Sequence, residues 1–375
     1  MIDDPTRLMN DDSTSNERPT WMLPTPARRD EPTNAAGLRP LLLRLMRGEN
    51  LSRADAASLL DSLLDGSATD AQIGAALVAL AVKGETVEEL AGMAEAMRAR
   101  AARVTSKHAR LIDTAGTGSS RAKTFNVSTA AAFVIAGAGL AVAKHGSRAA
   151  TSRSGSADVL AALGVNVSCA PELSAACLDE HGVCFMFAPL YHTATARVAS
   201  VRRELGVHTT FNLLGPLTNP ARAPRQIVGV WHESLVEKMA RTLAALGTER
   251  AWVVHGIDGL DEITLAEKTL VGEAHGGEVR LFEIAPEDFG LARASLETLR
   301  GGDAEENARI IRDVLEGRRR DAARSLVVAN AAAALHVGGA ADDLREAARL
   351  AHESIDSGAA RGKLERLIEA TRART

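Results

Sequence analysis

Two adjacent carboxylates, Asp261-Glu262, follow His255-Gly256-Ile257-Asp258-Gly259 behind a valine-rich run. Such a pair at the end of a parallel strand suits Mg2+, which takes one or two carboxylates, several waters and substrate phosphate oxygens. On spacing alone, a solvated acidic turn is the simpler reading. Residues 113–158 supply a second kind of chemistry, anion binding. They hold three small-residue loops: Gly116-Thr117-Gly118-Ser119-Ser120, Asn126-Val127-Ser128-Thr129 and Ser154-Gly155-Ser156-Ala157-Asp158. Glycines let backbone N–H groups approach a ligand closely. Ser128 and Thr129 open an apolar run that reads as a helix, and a helix N-terminus carries partial positive charge and unpaired N–H groups. Lys144 and Arg148, in Lys144-His145-Gly146-Ser147-Arg148, add full positive charge after a short apolar strand. Strand, small-residue turn and helix N-terminus is the layout of phosphate loops in α/β proteins. Three in succession, with a lysine and an arginine, point to a substrate bearing more than one phosphate.

A third group is basic. Arg202 and Arg203 are adjacent on a helical pattern and cannot share a face, so one of them is expected to enter a site. A guanidinium holds a carboxylate through two parallel hydrogen bonds. His192 is open between a structural role and a place beside an aromatic substrate. His145 is not needed to explain its loop, because the flanking lysine and the backbone suffice.

The elements that must position these residues alternate. Residues 111–113, 140–143, 183–188, 227–231 and 251–255 read as strands, and their continuous apolar character suits a parallel sheet covered on both faces. Helical runs such as 234–246 lie between them and give repeated βα units. Further strands are expected within 269–284, and closing helices at 303–315 and 341–370. From 38 to 104 the pattern is helical throughout. Leu41, Leu42 and Leu45 share a face, Ser52 with Asp55 marks a helix start, and Gly66 and Gly84 mark stops. Thr69 with Gln72 and Thr86 with Glu89 are capping-box pairs. Met93 and Met97 are expected in the core or at a subunit interface. The fold class is therefore α/β: a small all-helical domain, 38–104, completed by helices near 190–210, and a larger domain, 105–375, with a mainly parallel central sheet. Residues 1–37, rich in Asp, Pro, Ser, Thr, Arg and Asn without periodicity, read as a disordered tail.

Composition removes several function classes. A net charge of −4 gives no general attraction to nucleic acid or to acidic membranes, and 3% aromatic residues disfavour base-stacking surfaces. No nucleic-acid or membrane partner is expected. The apolar run 130–143 is broken by Gly137 and Gly139 and reads as a buried helix–strand pair. Cys169, Cys177 and Cys184 lack zinc-site spacing, and without a secretory signal they read as reduced buried thiols of a cytoplasmic protein, placed with Phe185 and Met186 in a buried strand. Arg318-Arg319-Arg320 reads as a solvated helix C-terminus. Asn330, in an alanine-rich helix, reads as a packing or helix–helix hydrogen-bonding residue.

In order along the chain, the motifs GTG at Gly116, NVST at Asn126, KHG at Lys144, SGSAD at Ser154, YH at Tyr191, VRRELG at Val201, FNLLGPLTNP at Phe211 and DGLDE at Asp258 resemble those of the anthranilate phosphoribosyltransferases, enzymes of tryptophan biosynthesis. The resemblance runs unbroken from about residue 38 to the C-terminus. It implies transfer of the phosphoribosyl group of phosphoribosyl pyrophosphate (PRPP) to the amine of anthranilate, with Mg2+ as cofactor and a homodimeric assembly. By that resemblance, PRPP is bound by Gly116, Ser119, Ser120, Thr124, Asn126, Val127, Ser128, Thr129, Lys144, His145, Gly146, Ser147, Arg148, Ser152 and Ser156. Anthranilate falls to Gly116, Ser147, His192 and Arg202, and Mg2+ to Ser128, Asp261 and Glu262. No general base stands out, so positioning and electrostatics are expected to carry the rate. The chain departs from the family at Ser119 and Ser120, where Gly-Asp is usual, and at Ser147, where Asn is usual. These changes bear on donor affinity and on the acceptor. The alternatives are a paralogue acting on another aromatic acceptor and a non-catalytic, nucleic-acid-binding relative. Retained Arg202 and the negative net charge disfavour the second.

Overall fold

The structure, a computed structural model, describes residues 37–118, 124–149 and 153–372. The expected tail, but for residue 37, and three expected donor residues, Ser119, Ser120 and Ser152, lie outside the described residues.

Four helices come first: α1 (Leu38–Met46), α2 (Arg53–Leu64), α3 (Asp70–Lys83) and α4 (Val87–Arg100). Their starts are set locally. Ser52 accepts the Asp55 N–H, and Thr69/Gln72 and Thr86/Glu89 form reciprocal capping boxes, each such cap being worth about 1 kcal/mol. Glu89 also accepts the Leu51 N–H at 2.8 Å and meets Lys83 at 2.7 Å inside the helical layer. Leu41, Leu45, Met93 and Met97 are buried there.

The chain then runs β1 (Leu111–Gly116), α5 (Val127–Gly137), β2 (Ala141–Gly146), α6 (Ser156–Leu163), α7 (Pro171–His181), β3 (Val183–Phe187), α8 (Ala188–Tyr191), α9 (Ala196–Leu205), α10 (Thr210–Leu217), β4 (Arg225–Gly229), α11 (Ser234–Ala245), β5 (Arg250–Gly256), β6 (Thr269–His275) and β7 (Glu278–Ile284). It closes with α12 (Ala304–Leu315), α13 (Ala322–Val337), α14 (Leu344–Asp356) and α15 (Ala359–Arg372). The sheet order is β3-β2-β1-β4-β5-β6-β7, parallel from β3 to β5 and antiparallel for the last two strands. The fold class expected from the sequence therefore holds.

Two apolar clusters cover the sheet. One buries α5, α13 and their neighbours against β1, β2 and β3. The other joins α1–α4, α9 and α10 to α11 and to Val228, Val253 and Ala274 of β4, β5 and β6. β2 runs three residues further than expected, so Lys144, His145 and Gly146 are strand residues rather than a loop after one. Only Cys184 of the three cysteines lies in β3. Cys177 is on α7 and Cys169 precedes it, all three being buried and outside any disulfide. Arg318 pairs with Asp313 and Glu316, and Arg319 with Asp321, so the basic run is balanced by carboxylates rather than merely solvated. No helix among the described residues is long and apolar enough to cross a membrane.

Candidate active site

Strand order reverses between β1 and β4, because β2 and β3 lie on one side of β1 and β4 to β7 on the other. Ligands of open α/β sheets bind at the carboxyl ends of strands beside such a switch. Here those ends are Gly116 of β1 and Gly229 of β4, which are partners in register. Thr117 fastens the first glycine loop to β4: its N–H and its hydroxyl both donate to the Gly229 carbonyl, at 2.8 and 3.1 Å. Gly229 has no room for a side chain, since a Cβ there would lie 1.7 Å from the Asp261 carbonyl oxygen. The acidic turn is thus pressed directly onto the strand end, and Asp261 Oδ2 comes within 3.9 Å of the position a Gly116 Cβ would take.

Asn330 holds the same turn from behind. Its Oδ1 accepts from the Ile263 N–H at 2.9 Å and its Nδ2 donates to the Ile263 carbonyl at 3.0 Å. The helix–helix role expected for this residue is corrected: α13 uses it to clamp the loop that carries Asp261 and Glu262. Glu262 in turn accepts the Ser128 N–H at the start of α5, at 3.2 Å. Burial and the neighbouring Asp261 push the Glu262 carboxyl up to about 8, against the pull of Lys144 and Ser128. Two adjacent carboxyl groups, one raised by the other, facing a serine and a glycine loop, form a donor set that a divalent cation would relieve. Among the described residues no group of three or more His, Cys, Asp or Glu gathers around one point, and Mg2+ needs no more than two carboxylates.

Lys144 is 4% exposed and reaches across to β1 and α5. Its Nζ donates to the Thr114 carbonyl, and lies 3.3 Å from Thr114 Oγ1 and 3.5 Å from Ser128 Oγ. Burial lowers its pKa, while Asp113 and Glu262 oppose that and favour the charged form. Asp113, fully buried on β1, is raised to about 6 by burial in spite of Lys144, Asn219 and the His145 N–H. Asn126 makes no side-chain cap for α5. Its amide instead donates to the Ser154 carbonyl at 3.2 Å and accepts from Asn307 Nδ2 at 3.0 Å, tying the second loop to the third. Thr129 Oγ1 is buried without a partner. Thr124 forms a single bridge to Arg300, and Val127, the first residue of α5, is buried in the core.

The third loop caps α6. Asp158 accepts the N–H groups of Ala149 and Gly155, both at 3.0 Å. It also pairs with Arg148 at 2.9 Å, so the full free charge expected of Arg148 is already met within the protein. Ser156 Oγ donates to the Ser147 carbonyl at 3.3 Å, and the Ser147 side chain is exposed.

His145 and His192 meet with ring centroids 5.2 Å apart. Burial, and for His145 also His192, lowers their pKa values to about 3 and about 4, so both are neutral near pH 7. His145 Nε2 and both ring nitrogens of His192 are buried without hydrogen-bond partners. Arg202 stands apart from this network. It is half-buried on α9, its guanidinium 5.1 Å from the Phe211 ring centroid, and among the described residues it forms no ion pair; Arg203 is exposed.

Asp113, Asn219, Asp158 and Asn307 were not singled out from the sequence. Asp113 left a usable signal, an acid inside an apolar strand; Asn219 and Asn307 left none, because their partners lie about a hundred or more positions away.

Residues 39–101 match the glycosyl transferase family, helical bundle domain, and residues 108–361 match the glycosyl transferase family, a/b domain. An anthranilate phosphoribosyltransferase of Rubrobacter xylanophilus is 52% identical over 335 residues, 89% of this chain and 98% of that protein. Among solved structures, the anthranilate phosphoribosyltransferase of Thermus thermophilus superposes with a TM-score of 0.83 at 40% identity, covering 88% of this chain and 99% of that one. That of Saccharomyces cerevisiae in complex with PRPP and Mg gives 0.82 at 29% identity, covering 90% and 98%. The chain belongs to the anthranilate phosphoribosyltransferases of this glycosyl transferase family.

Proposed function

We propose that the protein transfers the phosphoribosyl group of PRPP to the amine of anthranilate, giving N-(5-phosphoribosyl)anthranilate and pyrophosphate in tryptophan biosynthesis. The observation that carries this reading is the meeting of Lys144, Ser128 and Glu262 beside Gly116 at the switch point of the sheet. In the reaction the bond from the ribosyl anomeric carbon to pyrophosphate breaks, and its electron pair leaves with pyrophosphate. The amine lone pair forms the new C–N bond, and a proton leaves the amine. The Gly116 loop, the start of α5 and Lys144 to Arg148 hold the phosphates, where backbone N–H groups and Lys144 meet the charge growing on the leaving group. Ser128, Asp261 and Glu262 would hold Mg2+, which would supply positive charge against the departing pyrophosphate. Arg202 takes the anthranilate carboxylate, with Gly116, Ser147 and His192 around the ring. The unprotonated ring nitrogen of neutral His192 is suited to accept a hydrogen bond from the acceptor, and the other to donate one.

The site is proposed to lie between a helical domain, 38–104 with the helices near 190–210, and the domain 105–375. A cytoplasmic location and a homodimer complete the proposal. Leu43 and Met46 of α1 and Val78 and Val82 of α3 are exposed by 42, 54, 42 and 83%, and a second copy would bury them. Met46→Glu with Val82→Glu should yield a monomer by light scattering. The transfer itself is tested by mixing the protein with PRPP, Mg2+ and anthranilate and following anthranilate fluorescence. It should fall only when all are present; constant fluorescence with the complete mixture overturns the function.

A further inference from the structure

The parallel ladder between β1 and β2 stops early. It pairs Leu111 with Ala141 and Ile112 with Val142. β1 continues against β4 as far as Gly116, and β2 continues against β3 as far as Gly146. The two strands therefore part at Asp113 and Ala143, and backbone groups that face the gap need other partners. Two buried side chains supply them. Asp113 Oδ1 accepts the His145 N–H at 3.1 Å, and Asn219 Nδ2 donates to the Ala143 carbonyl at 2.8 Å. The same Nδ2 donates to Asp113 Oδ2 at 2.7 Å, locking the two side chains together. The Ala221 N–H donates to Asn219 Oδ1 at 2.8 Å, which fixes the direction of the amide. Lys144 crosses the opened gap to the Thr114 carbonyl and so arrives beside Ser128.

We propose that Asp113 and Asn219 form a wedge that keeps β1 and β2 apart and thereby sets Lys144 and His145 in the donor site, making Asp113 a positioning residue for the transfer. The proposal rests on the reading of that strand edge as the donor site. Asp113 acts on the site through Lys144 and His145, by the bond it accepts from the His145 N–H and by its charge near the Lys144 ammonium. Were β1 and β2 zipped to their ends instead, the gap that Lys144 spans would be filled by ladder bonds.

Asp113→Asn keeps the size and the acceptor for the His145 N–H, but turns an amide toward the Asn219 amide, donor against donor. Asn219→Ala removes the other half of the wedge and leaves the Asp113 carboxylate in place. Each is combined with Lys144→Ala in a double-mutant cycle. Two quantities are read: Kd for pyrophosphate with Mg2+ by calorimetry, and kcat/KM for PRPP. Each wedge variant is expected to weaken pyrophosphate binding and lower kcat/KM for PRPP about tenfold or more. On the Lys144→Ala background the same change should add clearly less, about threefold or under, because the part of its route through Lys144 is already cut. Wild-type pyrophosphate affinity in both wedge variants overturns the proposal, as do defects that multiply in full with Lys144→Ala. If Asp113→Asn does not fold, the cycle of Asn219→Ala with Lys144→Ala decides between these outcomes by itself. A wild-type protein that binds pyrophosphate but does not consume anthranilate defeats the acceptor reading, and the affinities still judge the wedge. A wild-type protein that does not bind pyrophosphate overturns both.

Discussion

The proposed donor edge and the proposed acceptor side of the site are built in opposite ways. At the donor edge, nearly every polar group already has a protein partner. Lys144 is bonded to Thr114, Asp113 to His145 and Asn219, Asn126 to Ser154 and Asn307, and Glu262 to Ser128. On the acceptor side, polar groups are buried and left waiting: both ring nitrogens of His192 lack partners, and Arg202 rests on an aromatic ring. A buried polar atom without a partner is destabilising by about 1–3 kcal/mol. The contrast reflects a division of labour. A highly charged donor needs a rigid set of fixed dipoles, because reorganisation during bond breaking would waste their effect. A flat aromatic acid is recognised by groups that its own atoms satisfy on arrival.

The largest effect should come from the metal end of the donor edge. Asp261→Ala with Glu262→Ala is expected to abolish turnover at saturating Mg2+. Both side chains are partly exposed and Asp261 disfavours the charged form of Glu262, so circular dichroism and the melting temperature should show an intact fold. Full activity in that variant would reduce the acidic turn to surface. On the acceptor side, Arg202→Ala removes one charged partner and should lose about 1.5–3 kcal/mol of binding. The KM for anthranilate would then rise about ten- to a hundredfold, with the KM for PRPP little changed. A defect confined to the PRPP KM would erase the division between the two sides.

Proton competition sharpens the comparison further. Glu262 is pushed up to about 8, and Mg2+ takes the ionised form. Affinity for Mg2+ should therefore be flat above about pH 8 and fall by up to about tenfold per unit below it. Calorimetry in buffers of different ionisation enthalpy would detect the released proton; a pH-independent affinity contradicts the assignment. The buried histidine pair acts on folding stability in the same direction, at lower pH. His145 and His192 are lowered to about 3 and about 4, so below the ordinary histidine value the unfolded chain binds more protons than the folded one. Their contribution is fully present above about pH 6.5 and is lost as pH falls toward those folded values, by up to about 1.4 kcal/mol per unit for each ring. His192→Gln should flatten the slope of urea-unfolding stability against pH in that window, and an unchanged slope would refute it. The smallest effect belongs to Arg203→Ala, which is exposed and should leave both KM values within about twofold of wild type.

Much of this protein was determined by local sequence. Ser52, Thr69 and Thr86 start their helices where the pattern places them, because a cap needs only the next three residues. The continuous apolar runs became the parallel strands, and the loops at Gly116, Asn126 and Ser154 lie where strands end or helices begin. Tertiary structure alone decided what those loops are fastened to. Asn219 meets Asp113 from 106 positions away, Asn307 meets Asn126 from 181, and Asn330 clamps Ile263 from 67. Periodicity and spacing carry no information about such pairs, since the sheet order and the helices packed on it bring them together. The same holds for charge. Arg148 is neutralised by Asp158, ten residues on, only because α6 turns that carboxylate back toward the loop. His145 has nothing in its neighbouring residues that singles it out. It is a neutral partner of His192 only because the surrounding helices exclude water from both rings, and burial shifts a titration that residue type alone leaves at its ordinary value.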